Sequence, residues 1–221
     1  MTPLPRDFFA RPSVQLAPDL LGCVLEHSTA EGVVAVELTE VEAYAGQADP
    51  ASHAYRGRTA RNAVMFGPPG HAYVYFTYGM HFCVNLVCLG AGTASAVLLR
   101  AGQVIEGEEL ARARRTKGRP DVARLAGRDL ARGPARLCQA LAIDRSLDGA
   151  DVCAPGSPLR VRWQLEEPGT TGRSGDKSIS SGPRVGVSAA AEVPWRFWLE
   201  GEPSVSAYKP YVARRRKLVT P

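Results

Sequence analysis

The chain has 221 residues, 45% of them hydrophobic, which is enough for one sizeable core and short for two ordinary domains, so a single domain spanning 1–221 is expected. Met1 to Arg11 lacks the apolar run and small-residue cleavage site of a secretion signal, and no stretch approaches the roughly 18 apolar residues of a membrane span, so a soluble, cytoplasmic protein is expected. The net charge of +5 conceals an asymmetry: nine basic and two acidic residues lie between Ala111 and Arg136, five basic and no acidic ones between Lys209 and Lys217, and 13 basic against 20 acidic elsewhere.

Two basic stretches on an acidic body suit attachment to a polyphosphate, because each Lys or Arg that meets a phosphate releases condensed counterions. A basic run can equally be a solvated face. Five cysteines, Cys23, Cys83, Cys88, Cys138 and Cys153, are odd in number, lack any C-x-x-C pair and sit mostly in apolar runs. That usage fits reduced thiols rather than disulfides or zinc, and no metal site is legible.

Along the chain, Leu16 to Leu25 reads as a short helical stretch passing into a strand. Val33 to Ala43 alternates, with Val34, Val36 and Leu38 on one face, and continuing that alternation puts Glu40 and Glu42 on the same apolar side. A carboxylate facing inward at a strand end is either salt-bridged or functional, since desolvation otherwise makes its charge costly. Gly67-Pro68-Pro69-Gly70 is a turn, and the runs on either side of Gly79-Met80 read as a hairpin from Ala72–Tyr78 and His81–Cys88, protruding at its tip. In the first arm Tyr73 and Tyr75 share a face and Tyr78 sits opposite them beside the turn. In the second, Cys83, Asn85 and Val87 share a face, leaving Asn85 a lone amide that must find partners there.

A further strand is expected over Ala94–Ala101, and Gly133-Pro134 opens a helix running to Leu141 whose N-terminus could hold a phosphate. Residues 163–183 are turn-rich and polar, predicting a long mobile loop, after which Arg184–Val187 and Trp195–Leu199 read as short strands. Many strands and few helices predict an α+β domain built on a curved, largely antiparallel sheet with surrounding helices. No P-loop or dinucleotide-fold glycine pattern is present, nor the zinc-binding signature of nucleobase deaminases, which argues against phosphoryl transfer and zinc deamination.

Taken in order, Leu20-Leu21-Gly22, Val41-Glu42-Ala43-Tyr44, Arg61-Asn62, Met65-Phe66, Tyr73-Val74-Tyr75, Tyr78-Gly79-Met80, Asn85, Val97 to Ala101, Gly133-Pro134, Leu137 to Leu141 and Pro183 to Val187 resemble the alkyladenine (3-methyladenine) DNA glycosylase family over nearly the whole chain. The stretch Pro50 to Gly57 looks like the bacterial version, and 163–183 matches no motif. The resemblance implies a monofunctional enzyme that flips alkylated or deaminated purines out of duplex DNA and hydrolyses the N-glycosidic bond in base excision repair. It makes Glu42 the general base that activates water, Arg100 the arginine beside that water, and the Val185 carbonyl the water's third partner. Tyr44, His53 and Tyr75 become walls of the base pocket, Asn85 the residue that crowds the guanine amino group, and Tyr78 the wedge inserted into the duplex.

No cofactor and no metal are implied, and the partner is double-stranded DNA carrying damaged purines such as 3-methyladenine, 7-methylguanine, hypoxanthine or ethenoadenine. A monomer associated with the bacterial nucleoid is expected. Glycosylases that also cut the backbone use an amine, and no Lys lies between Met1 and Lys117. Two rival readings remain open on the sequence: a non-catalytic nucleic-acid-binding module, which would have no need of an inward Glu42, and a hydrolase of free nucleosides, which would need neither the basic stretches nor an exposed Tyr78.

Overall fold

A computed structural model describes residues 2–77, 79–117, 124–164 and 177–212. Its centre is β2, Gly32–Tyr44, which pairs antiparallel along its length with β5, Ala96–Glu106. On the other edge of β2 two neighbours divide the strand: β1, Val24–Thr29, takes its first half and β9, Arg196–Leu199, pairs with residues 40–42. The hairpin of β3, Ala72–Thr77, and β4, His81–Val87, extends the sheet beyond β5, while β7, Leu159–Arg162, extends it beyond β1. Two short strands complete it: β6, Ala131–Arg132, pairs with β5, and β8, Ile179–Gly182, pairs with β9. Every pairing among the described strands is antiparallel, as the α+β expectation required.

The core lies where helices cover one face of this sheet. From α2, Ser13–Leu20, come Leu16 and Leu20, and from α4, Pro134–Leu141, come Leu137 and Leu141, all at 0% exposure. Each such leucine contributes about 2 kcal/mol by leaving water, and Leu137→Ala would cost roughly 3 kcal/mol once the cavity it leaves is included. α4 forms where the sequence indicates because Pro134 stands at its first turn, where a missing N–H costs nothing, and apolar positions 137, 138, 140 and 141 give one buried stripe. α1, Arg6–Phe9, and α3, Glu108–Thr116, are the remaining α-helices among the described residues.

The hairpin forms as expected, its turn carried by Gly79 at φ 70°, a conformation that side chains with a Cβ rarely adopt. Phe76 and Met80 beside the turn are exposed; Tyr78 itself lies outside the described residues. Two expectations need correcting downstream. Part of the anticipated polar loop 163–183 is strand β8, whose unremarkable Ile-Ser-Ser-Gly sequence becomes a strand because β9 supplies its hydrogen-bond partners; residues 165–176 lie outside the described set. Arg184–Val187 is not a strand, since Pro183 ends β8 and the chain turns at Val185-Gly186.

Candidate active site

The position of Glu42 depends on an irregularity that the alternation could not show. Between Leu38 and Val41 the β2–β5 register shifts twice, so that Leu38 faces Gly102, Glu40 faces Ala101 and Val41 faces Leu99. One extra residue in each strand reverses the phase of both. Val34, Val36 and Leu38 therefore share the main core with Val41 and Ala43, whereas Glu42 lines a cavity outside that core, together with Leu98 and Arg100 of β5. The expectation that Glu42 lies on the apolar face of Val34, Val36 and Leu38 is thus corrected: the bulge frees both carboxylates from the core.

The cavity is about 430 Å³. Glu42, Tyr44, Leu98 and Arg100 come from the sheet centre; Tyr73, Tyr75, Thr77, Cys83 and Asn85 come from the hairpin; loop residues 50–53 and 185–188, Met65 and Pro134 at the start of α4 complete the lining. The loop after β2 is drawn in by Gly46, where a Cβ would stand 1.9 Å from the Ala94 carbonyl oxygen, so only glycine fits the approach. Cross-strand pairing sets Tyr73 opposite Asn85 and Tyr75 opposite Cys83, which is why one hairpin face delivers two phenols, a thiol and an amide to the same wall.

Glu42 is fully buried, and donors hold both of its oxygens. Tyr44 Oη donates to Oε2 at 2.8 Å, the Val185 amide donates to Oε1 at 2.7 Å, and Arg100 Nη1 lies 3.3 Å from Oε1. The contact from Val185 is through its N–H. Burial, then the neighbouring Glu42 charge, keep the Tyr44 phenol well above its usual range, so it remains a donor at any physiological pH.

Arg100 is itself aimed by Glu40, which accepts from Arg100 Nε at 2.8 Å, from Arg196 Nε at 2.7 Å, and from the Ser206 amide and hydroxyl at 2.7 and 2.9 Å. Burial alone would raise the Glu40 carboxyl, yet the two guanidinium charges and Ser206 draw it below its usual value.

The hairpin side of the cavity is aromatic. The rings of Tyr73 and Tyr75 stack with centroids 5.5 Å apart, and His53 meets Tyr75 edge-on at 4.5 Å with its Nδ1 3.2 Å from Tyr73 Oη. His53 is exposed on one side, while packing against this wall and the nearby Arg61 charge pull its pKa below the usual histidine value and keep the ring neutral at pH 7. The loop carrying it is laced by Asn62, which donates to the carbonyls of His53 and Gly57 and accepts from the Thr59 amide. Asn85 donates to the Tyr73 carbonyl at 3.2 Å, which satisfies its amide while leaving it on the cavity wall.

Glu42, Arg100, Val185, Tyr44, His53, Tyr75 and Asn85 are therefore brought together around one space, and Tyr78 lies outside the described residues. Sequence reasoning assigned no role to Glu40, Asp49, Arg184 or Ser206. Glu40 carried the same inward-carboxylate signal as Glu42 and Arg184 lies in the family motif from Pro183 to Val187, whereas Asp49 and Ser206 have no local pattern that marks them.

An aromatic slot of this size with one carboxylate held by two hydrogen-bond donors and an arginine fits hydrolysis of a bond to a flat, electron-poor ring, and among the described residues no cluster of ligands could hold a metal. The profile of the family described as methylpurine-DNA glycosylase matches residues 7–203. A protein of Streptomyces avermitilis is 56% identical over 218 residues, covering 98% of this chain and 96% of its own. One from Leifsonia xyli is 52% identical, covering 94% and 93%, and one from Methanocella arvoryzae is 46% identical, covering 95% and 98%. All three carry the name "Putative 3-methyladenine DNA glycosylase".

The chain belongs to the methylpurine-DNA glycosylase family. It is a DNA repair enzyme of the 3-methyladenine glycosylase type, a hydrolase of N-glycosyl bonds whose substrate is DNA. No helix among the described residues is long and apolar enough to cross a membrane.

Proposed function

We propose that the enzyme extrudes a damaged purine nucleotide from duplex DNA into the cavity between Glu42 and the tyrosine wall, and there hydrolyses its bond to the sugar. The observation that carries this reading is the placement of a single buried carboxylate, oriented by Tyr44, Val185 and Arg100, in the same cavity as stacked Tyr73 and Tyr75. Glu42 takes a proton from water as the oxygen attacks the sugar carbon; the N-glycosidic pair leaves with the base, and the products are an abasic site and a free purine. Cleavage passes through a cationic sugar, so the same carboxylate steadies the developing charge. An alkylated purine already carries positive charge and leaves without a second acid of the kind glycosidases use.

Arg100 and the Val185 carbonyl hold the attacking water beside Glu42. Tyr44, His53 and Tyr75 enclose the base, whose positive ring gains cation–π attraction from the tyrosines. Asn85 occupies the space that a guanine amino group would need, and Tyr78 fills the gap left in the stack. Among the described residues no lysine lines the cavity, which supports hydrolysis without backbone cleavage. The lesion taken first is 3-methyladenine, with 7-methylguanine, hypoxanthine and ethenoadenine as the further candidates that the assay below separates; the enzyme is read as a cytoplasmic, nucleoid-associated monomer. Duplexes each carrying one of these lesions, incubated with the enzyme in EDTA and scored for alkali-labile sites, test the reading. Failure to release any methylated purine would overturn it.

A further inference from the structure

Arg184 is the largest fully buried side chain among the described residues, 1% exposed. Its Nη1 and Nη2 donate to the two oxygens of buried Asp49 at 2.5 and 2.9 Å, and Nη1 also reaches the Ala43 carbonyl at 3.1 Å. The guanidinium carbon lies over the ring of Tyr44 at 4.8 Å and over that of Trp195 at 5.2 Å. Its Nε is buried with no acceptor.

As a device for stability this arrangement is poor. The attraction within a buried ion pair roughly offsets the desolvation of its members, and an orphaned donor adds a further loss. An apolar side chain would fill the space without either. What a planar, forked cation does that an apolar side chain cannot is hold separate chain segments in one geometry.

The segments joined here both end at Glu42. Tyr44, against which the guanidinium packs, donates through its hydroxyl to Glu42 Oε2, and Val185, the residue after Arg184, donates through its amide to Oε1. Asp49, at the other end of the ion pair, precedes the loop 50–53 that lines the cavity beside His53. One buried pair thus spans the hydrogen-bond donors of the carboxylate and the entry to the base-binding loop.

We propose that Arg184, locked by Asp49, is a positioning residue for hydrolysis: it sets the two donors that orient the Glu42 carboxylate toward the attacking water. The proposal rests on Glu42 being the general base. Arg184 touches neither water nor base; it acts through Tyr44 and Val185. A misalignment of the carboxylate by a fraction of an ångström is enough to slow a reaction that needs a near-attack geometry.

The test uses the full chain, with single-turnover release of 3-methyladenine from methylated duplex DNA as one measurement and binding to a duplex holding a reduced abasic site as the other. Arg184→Lys, which keeps charge but loses the fork, and Asp49→Asn, which keeps volume, are each expected to slow release by about tenfold or more while leaving binding within about twofold. Placed in a Glu42→Gln background, either change is expected to leave the residual rate where Glu42→Gln alone puts it, because its effect passes through that carboxylate. Wild-type rates in both variants, an equal slowing in the Glu42→Gln background, or a parallel loss of binding overturns the proposal. If Arg184→Lys does not fold, Asp49→Asn carries the same comparison. A Glu42→Gln enzyme that excises at nearly the wild-type rate would instead overturn the general-base assignment on which the proposal stands.

Discussion

Glu40 and Arg100 meet at 2.8 Å through Nε, and that contact turns the far side of the guanidinium to within 3.3 Å of Glu42, two residues along the same strand. In the proposed mechanism one carboxylate is the anchor and the other the working group, although they share a strand, a residue type and complete burial. The difference lies in their partners. Glu40 is saturated by two arginines and both polar groups of Ser206, whereas Glu42 lines the cavity.

Replacing Glu42 by Gln tests its proposed role, because the amide keeps the side chain's shape but cannot take a proton from water. Excision of 3-methyladenine should fall by roughly a hundredfold or more, since general-base catalysis contributes about that much, while lesion DNA should still bind. Single-turnover excision beside a gel-shift titration checks both halves.

Glu40 is where acid should act on the fold. Its folded pKa lies below the ordinary 4.5, because Arg100, Arg196 and Ser206 more than offset its burial. The stability it supplies is fully present above pH 4.5 and is lost as the pH falls through the lower folded value. Glu40→Gln should therefore unfold at lower temperature at pH 7, by the equivalent of about 3 kcal/mol for two arginines left uncompensated, and should show a shallower loss of stability toward acid. Thermal melts from neutral pH downward distinguish this from an indifferent surface carboxylate.

Glu37 should behave in the opposite sense. It is 7% exposed, its Oε1 has no partner, and burial raises its pKa above 4.5 against the weaker pull of Lys177. A raised folded pKa means stability that is present below 4.5 and lost as the pH rises through the folded value. Glu37→Gln is expected to raise the melting temperature by about 2–4 °C at neutral pH, the effect of roughly 1 kcal/mol in a chain of this size. Near pH 3.5 the difference should vanish, because Glu37 is then itself neutral. A variant less stable than wild type at pH 7 would show that the charge is needed.

Asn85 sits among the apolar residues of β4 and reaches the cavity with its amide anchored on the Tyr73 carbonyl. Shortening it to Ser should relieve the clash proposed with the guanine amino group, so that release of undamaged guanine rises relative to release of 3-methyladenine. Chromatography of bases freed from methylated duplex DNA gives the ratio directly, and an unchanged ratio would mean that the amide only ties β4 to β3.

The basic stretch 111–136 divides into two kinds of arginine. Arg112, Arg114 and Arg115 look alike in sequence as candidate phosphate ligands, yet Arg115 is 5% exposed and donates to the Leu130 carbonyl and Gln139, Arg114 is bound to Glu31, Thr29 and the Ala140 carbonyl, and Arg112 to Glu108 and the Leu125 carbonyl. The helix turns them into its own fasteners. Arg115→Ala should cost stability of about 2–3 kcal/mol, because it strands buried acceptors. Exposed Lys117, Arg124 and Arg136, with Arg128, whose contact to Asp129 is long at 3.9 Å, are the candidates whose neutralisation should lower the salt dependence of DNA binding, by about one unit of slope for each phosphate that is no longer neutralised. Melting curves and salt titrations of the two classes of variant separate these effects.

Local chemistry was enough to reveal the hairpin, with Gly79 at its turn and its tyrosines on one face, and the helix opened by Pro134, because alternation, helical spacing and turn residues act over a few positions. The ordered motifs from Leu20 to Val187 likewise carried the family. What local chemistry could not reveal is the paired bulge between Leu38 and Val41, since each extra residue is tolerated only by the other, in a strand some 60 positions away. The same holds for the pairing of Asp49 with Arg184 and of Glu40 with Ser206, separated by 135 and 166 residues. Which carboxylate is saturated by partners and which lines the cavity, and which arginines are tied into the fold and which stay exposed, follow from contacts that only chain folding brings within hydrogen-bonding distance.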